Sequence, residues 1–190
     1  MALSRRDHLV ETAQALFMRD GFHATGIDRI LGHAGVAKMT LYNHFKSKDE
    51  LILAALRLRD ERFLEWFTAA VEARAENPRG RLLALFGAID EWINQPDFNG
   101  CAFVKASAEY GQPDDPIHQA AAEHKKLVRD YIRQIAADAG APDPDTLADT
   151  LDLLLEGAIV TAYVSGRKDA AKTARRAAAI LIKRALDGDA

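Results

Sequence analysis

Residues 25–51 read TGIDRILGHAGVAKMTLYNHFKSKDEL and carry the strongest structural signal in the chain. Apolar residues recur at helical spacing up to Gly35, which interrupts the pattern, and they resume at Leu41 and Phe45, four residues apart. This pattern predicts two short helices joined by a turn that contains a glycine, which is a helix-turn-helix. The second helix of such a pair enters the major groove of DNA.

The second predicted helix carries polar side chains on the face that its apolar residues leave free. Lys38 and Asn43 can reach base edges, because lysine suits the acceptors of guanine and asparagine suits adenine. The other polar residues suit phosphates, which fix the position of a protein on DNA without distinguishing its sequence. An ordinary solvated surface is the alternative interpretation. The predicted DNA-binding residues are Thr25, Lys38, Met39, Thr40, Tyr42, Asn43, His44 and Lys48.

The stretch AGVAKMTLYNHFKSKDEL resembles the DNA-binding core of the TetR family of bacterial transcriptional repressors. That core has an Ala-Gly-Val turn, then Leu-Tyr-x-His/Tyr-Phe, then Ser/Asn-Lys-x-x-Leu, and the similarity covers about residues 5–51. Two positions depart from it. Ala37 stands where a serine is usual, so the second helix lacks a hydroxyl N-cap, and Leu31 stands where a small alanine is usual. The resemblance implies an N-terminal DNA-binding domain followed by a helical effector-binding domain.

Charge is distributed unevenly along the 190 residues, whose formal net charge is −3. Residues 1–50 hold seven Lys and Arg against six Asp and Glu, whereas residues 51–190 hold 18 against 22. A negative chain argues against a general nucleic-acid coat. The few cations near the N-terminus predict weak non-specific DNA binding, so that affinity depends on dimerisation and shape.

The cysteine content and the apolar pattern indicate in which cellular compartment the protein is found. A single cysteine excludes an intrachain disulfide, and the spacings of cysteine and histidine zinc motifs are absent. No apolar run approaches about 18 residues, and the N-terminus is too polar for a signal peptide. We therefore expect a cytoplasmic protein that does not associate with membranes.

Helix-starting signals divide the chain into about nine helices and no strand, which predicts an all-α fold. Ser4, Thr25 and Ser47 are each followed three residues later by an acidic residue, the pattern of a capping box. Proline suits the first helical position and marks three further starts, at residues 78, 116 and 144. We expect a DNA-binding domain at 1–50 and an effector-binding and dimerisation domain at 51–190, with the fourth helix continuous across the boundary.

The resemblance makes a ligand pocket the expected feature of residues 51–190. Pockets between helices combine apolar walls with a few polar groups. The aromatic residues of this region could instead simply fill its core. The candidate lining residues are Trp66, Phe67, Cys101, Phe103, His118 and Tyr163.

Catalysis and metal binding are not expected. Cys101, Glu109, His118 and His124 could be combined as nucleophile, base and orienting group, but nothing in their spacing requires it. His124 follows a glutamate but lacks the second histidine of a zinc-binding helix. We therefore expect a protein that is not an enzyme and that uses no metal and no cofactor.

Cys101 keeps two interpretations. A lone cysteine is most often a small buried hydrophobic residue. Some TetR-type regulators sense electrophiles through a cysteine, but no Lys or Arg lies within three residues of Cys101 to favour its thiolate. A position at a helix N-terminus could favour the thiolate instead.

Small residues dominate the last two predicted helices, with Gly157 in the eighth and an alanine stripe that includes Ala178 in the ninth. They allow close helix packing, within one chain or between two. Two-fold operators require two-fold proteins, and TetR-type proteins dimerise through their last two helices, so we expect a homodimer with Ala178 in its interface. The predicted function is a repressor that a small-molecule effector releases from a palindromic operator. The alternative is a constitutive DNA-binding or architectural protein without an effector.

Overall fold

The computed structural model describes residues 4–188, and this part of the chain contains nine α-helices and no β-strand. The all-α prediction is confirmed. The helices are α1 (Arg5–Asp20), α2 (Ile27–Ala34), α3 (Lys38–Tyr42), α4 (Lys48–Glu72), α5 (Pro78–Ile93), α6 (Ala102–Glu109), α7 (Pro116–Asp138), α8 (Pro144–Ser165) and α9 (Ala170–Asp187).

Most helix starts use the side chains that the sequence indicated. Ser4 Oγ accepts a hydrogen bond from the N–H of Asp7 at 3.1 Å. Before α4, Ser47 Oγ accepts one from the N–H of Glu50 at 3.2 Å. These bonds satisfy N–H groups that have no partner inside the helix, and they explain why the helices begin where the sequence predicted.

The predicted capping box at Thr25 is wrong. The N-cap of α2 is Gly26, which has no side chain to accept a hydrogen bond. Thr25 is fully buried, and its hydroxyl donates to the carbonyl oxygen of Gly21 at 2.7 Å. Thr25 therefore stabilises the turn between α1 and α2 rather than the first turn of α2.

The chain forms two compact units that alternate along the sequence. The first contains the chain up to Arg62 together with Ala102–His124, and the second contains Phe63–Cys101 and the chain from Lys125 onward. The division falls inside α4 and inside α7, and it groups α6 with the N-terminal helices. The predicted domain boundary at residue 50 concerns function and stays a prediction.

In the first unit, α1, α2 and α3 pack against one another. Their contacts bury large apolar side chains, each of which contributes about 1.5–3 kcal/mol when removed from water. The core residues of these three helices include Leu9, Val10, Phe17, Ile30, Leu31 and Leu41.

In the second unit, α9 packs against both α5 and α8. The alanines at 171, 174 and 178 are buried there, and Ala178 has no exposed surface. Small side chains let these helices approach closely within one chain. The prediction that Ala178 lies in an interface between subunits is therefore wrong, because its own chain covers it.

A different face of α8 and α9 stays exposed. Leu153, Val160 and Val164 recur along α8 and are 73%, 41% and 74% exposed, and Ile180 on α9 is 71% exposed. Gly157 lies between them on α8 and is exposed as well. None of the helices in the described residues is long and apolar enough to cross a membrane.

Candidate nucleic-acid interface

The turn between α2 and α3 is built around Gly35. Its φ of +63° is left-handed, a conformation that suits glycine. The N–H groups of Gly35 and Val36 both donate to the carbonyl oxygen of Leu31, which closes α2. Leu31 itself is 9% exposed, so the packing accommodates the larger side chain at this position.

Helix α3 separates its residues into a packed face and an open face. Leu41 is fully buried and Phe45, just beyond the helix, is 3% exposed. The opposite face leaves side chains in solvent, with Met39 at 72% and Tyr42 at 48% exposure. The predicted DNA-binding residues on this face are Lys38, Met39 and Tyr42, and Asn43 and His44 are exposed directly after the helix. Thr40 lies at its edge and is half-buried.

Lys48 and Thr25 lie in different environments from the residues on α3. Lys48 begins α4 and its Nζ donates to the carbonyl oxygen of His23 at 3.2 Å, while burial lowers the pKa of its ammonium. Thr25 is fully buried and its hydroxyl is hydrogen-bonded to backbone. The structure therefore contradicts the prediction that the Thr25 side chain contacts DNA, since it has no surface to offer.

Two cations beside the open face were not predicted. Lys46 is exposed directly after Phe45, and the Arg6 guanidinium lies over the Phe45 ring, 5.3 Å from its centroid. Lys46 could have been found from its position in the motif. Arg6 could not, because its contact joins residues 39 positions apart. Both add positive charge near α3, where DNA phosphates would lie.

Helix α6 contributes a carboxylate to the same unit. Glu109 accepts hydrogen bonds from the backbone N–H groups of Phe22 and His23, at 2.9 and 2.6 Å. The adjacent Tyr110 ring stacks on the His23 ring with centroids 4.6 Å apart. Burial, with nearby acidic groups that include Asp49, raises the pKa of Tyr110 to about 12, so its phenol stays neutral. No sequence signal near either segment points to this contact.

Four of the predicted pocket residues lie in the second unit. Trp66 and Phe67 belong to an aromatic cluster with Phe63, whose ring stacks on that of Phe67 at 5.4 Å. Tyr163 is 46% exposed, and its ring lies so close to Gly100 that a Cβ there would be 2.9 Å from it. Gly100 has a φ of +76°, so a side chain would also be strained.

Cys101, the fourth of these residues, contacts a charged pair. The Nζ of Lys125 donates to Cys101 Sγ at 3.4 Å and to the carboxylate of Glu156 at 2.7 Å. Burial opposes the charge on Lys125, but the attraction of Cys101 and Glu156 outweighs it and raises the lysine pKa. A cation therefore does lie beside the thiol. The sequence near Cys101 does not reveal this cation, because Lys125 belongs to α7, 24 residues further along the chain.

The other two predicted pocket residues lie in the first unit. Phe103 stacks on the ring of His124 with centroids 3.6 Å apart, and His124 Nδ1 is 2.6 Å from Asp60 Oδ1. His118 Nδ1 lies 2.8 Å from the carbonyl oxygen of Tyr110. His124 is 97% buried, because its exposed fraction is only 3%. In this unit the two histidines are thus held by separate partners.

Two cavities in the second unit are lined by other residues. One of about 560 Å³ lies between α5 and α9 beside Arg74 and Lys172. The other, of about 460 Å³, lies between the start of α8 and the end of α9, beside Leu147 and Leu181. Among the described residues, no group of three or more His, Cys, Asp or Glu is arranged to hold a metal ion.

Known proteins resemble the chain over both of its halves. Residues 9–55 match bacterial regulatory proteins of the tetR family, and residues 78–178 match the tetracyclin repressor-like C-terminal domain. The chain is 36% identical over 171 residues to the HTH-type transcriptional repressor KstR2 of Mycolicibacterium smegmatis, covering 86% of this chain and 78% of that protein. It is 24% identical over 181 residues to the HTH-type transcriptional regulator YjdC of Escherichia coli, covering 95% and 94%.

A solved structure resembles the fold over nearly its whole length. The crystal structure of SCO4454, a TetR-family transcriptional regulator from Streptomyces coelicolor, has a TM-score of 0.89 and 31% identity, covering 96% of each chain. The open face of α3 and the all-helical C-terminal part are consistent with these similarities. The chain belongs to the TetR family of bacterial transcription regulators.

Proposed function

We propose that the protein is a homodimeric repressor that binds a palindromic operator through α3 and leaves it when a small-molecule effector binds. The observation that carries this proposal is the division of α3 into a buried and an open face. Leu41 and Phe45 hold the helix in place, so its remaining residues are free to contact a ligand. The name of the KstR2 relative supports repression as the direction of control.

The open face of α3 suits contacts both to bases and to phosphates. Lys38 and Asn43 are exposed and carry the donors and acceptors that recognise guanine and adenine. Tyr42 and His44 are exposed beside them and suit phosphate oxygens. Lys48 is bonded to the His23 carbonyl, so its contribution to phosphate binding is a local positive charge close to the turn.

Two copies of the chain would associate through the exposed apolar face of α8 and α9. Leu153, Val160, Val164 and Ile180 leave apolar surface in water on these helices, which is costly unless another surface covers it. Gly157 lets a partner helix approach this face closely. A symmetric pair would present two α3 helices to two half-sites about one DNA turn apart.

Helix α4 is the element through which an effector would act. It runs from Lys48 to Glu72 without Gly or Pro, and it supplies residues to both units. An effector in the C-terminal domain beside Trp66 or Phe67 would displace this helix and change the spacing of the two α3 helices. Only an effector that prefers the released conformation can do so.

DNA binding can be tested with the DNA that flanks the protein's own coding region. The wild type is titrated against labelled fragments, alongside Lys38→Ala and Asn43→Ala. Because a good base contact contributes about 1–3 kcal/mol of discrimination, each substitution should weaken specific binding about 5- to 150-fold. Equal affinity of both variants and the wild type for the preferred fragment would refute the role of α3.

A further inference from the structure

The carboxylate of Glu109 lies against the α1–α2 turn, residues 21–26. Its two oxygens accept hydrogen bonds from two successive backbone N–H groups, those of Phe22 at 2.9 Å and His23 at 2.6 Å. Gly21 makes room for this approach, since a Cβ there would lie 3.1 Å from Glu109 Oε1. Its φ of +93° also disfavours any larger residue. Charge-assisted bonds of this kind are stronger than neutral ones.

Further contacts hold the same turn and the end of α1 beside it. His23 Nδ1 lies 3.2 Å from Glu109 Oε2. The His23 carbonyl oxygen accepts a hydrogen bond from the Nζ of Lys48, at the start of α4. On α6, the Lys105 Nζ donates to the carbonyl oxygen of Met18 near the end of α1 at 3.1 Å. Helix α6 is thus bonded to the backbone on both sides of the end of α1.

The turn leads directly into the helices that form the candidate interface. Thr25 bonds Gly21 just before α2 begins, and Phe22 is buried against Phe17 of α1, with their rings 5.3 Å apart. Since α2 packs on α1 and α3 packs on both, the conformation of the turn affects the placement of α3. A few tenths of an ångström matter there, because base contacts need good hydrogen-bond geometry.

A carboxylate in a DNA-binding unit is unfavourable by its charge alone, since DNA is a polyanion. Glu109 therefore requires an explanation other than attraction to DNA. We propose that Glu109 is a positioning residue for DNA binding, which fixes the α1–α2 turn and thereby holds α2 and α3 in the arrangement that fits the major groove. This inference rests on the proposed function and assigns part of the DNA-binding machinery to a helix 60 residues beyond α3.

The test asks whether removing the charge of Glu109 strengthens or weakens DNA binding. Glu109→Gln keeps the shape of the side chain but removes its charge and weakens the bidentate contact. A simple charge effect would strengthen DNA binding, whereas loss of positioning should weaken it about tenfold or more. Asp114→Asn is the matched control, because Asp114 is exposed in the loop after α6 and its substitution removes the same charge. Asp114→Asn should bind as tightly as the wild type, or slightly more tightly.

Full-length proteins are compared at a temperature at which thermal unfolding shows all three to be folded. Hydrogen exchange of the Phe22 and His23 amides supplies a readout independent of DNA, and it should accelerate in Glu109→Gln but not in Asp114→Asn. Unchanged exchange at both amides would overturn the inference about Glu109, and so would Glu109→Gln binding DNA as tightly as the wild type. Neither result would affect the proposed function. Failure of the wild type to bind any flanking fragment would instead refute the proposed function.

Discussion

Leu41 and Tyr42 are neighbours on α3 with opposite environments. Leu41 has no exposed surface, and Tyr42 has 48% of its surface in solvent. Residues with such different burial should respond differently to the same truncation. This contrast gives each of them a distinct role, one in stability and one in binding.

Replacement of each residue by alanine separates these roles. Leu41→Ala should lower the free energy of unfolding by about 2–5 kcal/mol, because it leaves a cavity. Tyr42→Ala should change that free energy by less than about 0.5 kcal/mol while weakening specific DNA binding. Urea denaturation and fluorescence anisotropy with labelled DNA measure the two effects. A Tyr42→Ala protein that is folded and binds with wild-type affinity would exclude Tyr42 from the interface.

Asp152 on α8 introduces a pH dependence into stability. Its Oδ1 is buried without a hydrogen-bond partner, and burial together with the charge of Glu156 raises its pKa to about 6. In an unfolded chain the pKa is about 3.9. Between these values the folded state binds more protons than the unfolded state, so the contribution of Asp152 to stability falls as the pH rises through about 4 to 6.

An Asp152→Asn substitution should therefore stabilise the protein only where Asp152 would be ionised. The shift of about two pKa units corresponds to about 3 kcal/mol, and solvent screening of the partly exposed carboxylate reduces this. We expect a gain of up to about 2 kcal/mol at about pH 7.5 and little change at about pH 4. Denaturant unfolding at the two pH values measures it. An equal gain at both would show that the effect comes from packing and not from the charge.

Individual residues also show where sequence inference stops. The open face of α3 followed from spacing, because Leu41 and Phe45 mark the packed side. Thr25 was misjudged because a polar residue before a helix resembles a cap, and only the fold reveals that Gly26 takes that position. Contacts such as Lys125 with Cys101, or Glu109 with Phe22, join residues 24 and 87 positions apart. Local patterns carry no information about them.

The sequence predicts where most of the helices begin. Proline and capping residues mark the starts of α5, α7 and α8, and these helices begin at the predicted prolines, 78, 116 and 144. Backbone satisfaction at a helix start is a local requirement, so the sequence encodes it locally. The grouping of α6 with the N-terminal helices depends on tertiary contacts and was not predicted.

Tertiary contacts also explain why the prediction for the small residues of α9 is wrong. The sequence predicts Ala178 in an interface between subunits, but this residue packs within its own chain. An alanine stripe shows that a helix packs closely but not against which helix. Ala178 is covered by its own chain, whereas Ile180, two residues further, is 71% exposed. The spacing of the alanines therefore predicts close helix packing, but it does not show whether the packed helices belong to one chain or to two.

Charged substitutions on α8 and α9 test the exposed apolar face. Val160→Glu and Ile180→Glu should dissociate the dimer while leaving each chain folded, since an unpaired charge in an interface costs several kcal/mol. Ala137→Glu places the same charge on an exposed alanine of α7 and should leave the dimer intact. Sedimentation velocity reports the oligomeric state. Variants at 160 and 180 that both remain dimers would locate the interface elsewhere.

At the scale of the whole molecule, the proposal couples effector binding to the placement of two α3 helices. A coupling free energy of about 1–3 kcal/mol would loosen DNA about 5- to 150-fold. A screen of small apolar and aromatic compounds by thermal shift should yield compounds that stabilise the protein, and these should release it from its DNA fragment. Compounds that raise the melting temperature but never change DNA affinity would favour the constitutive, architectural alternative.

We propose that two copies of this chain bind a two-fold symmetric DNA sequence through α3. Selection of bound fragments from a random DNA library by the wild-type protein tests it most directly. We expect an enriched palindrome whose half-sites lie about 10 base pairs apart from centre to centre, or a multiple of that spacing. Enrichment of an asymmetric single site, or no enrichment at all, would contradict it.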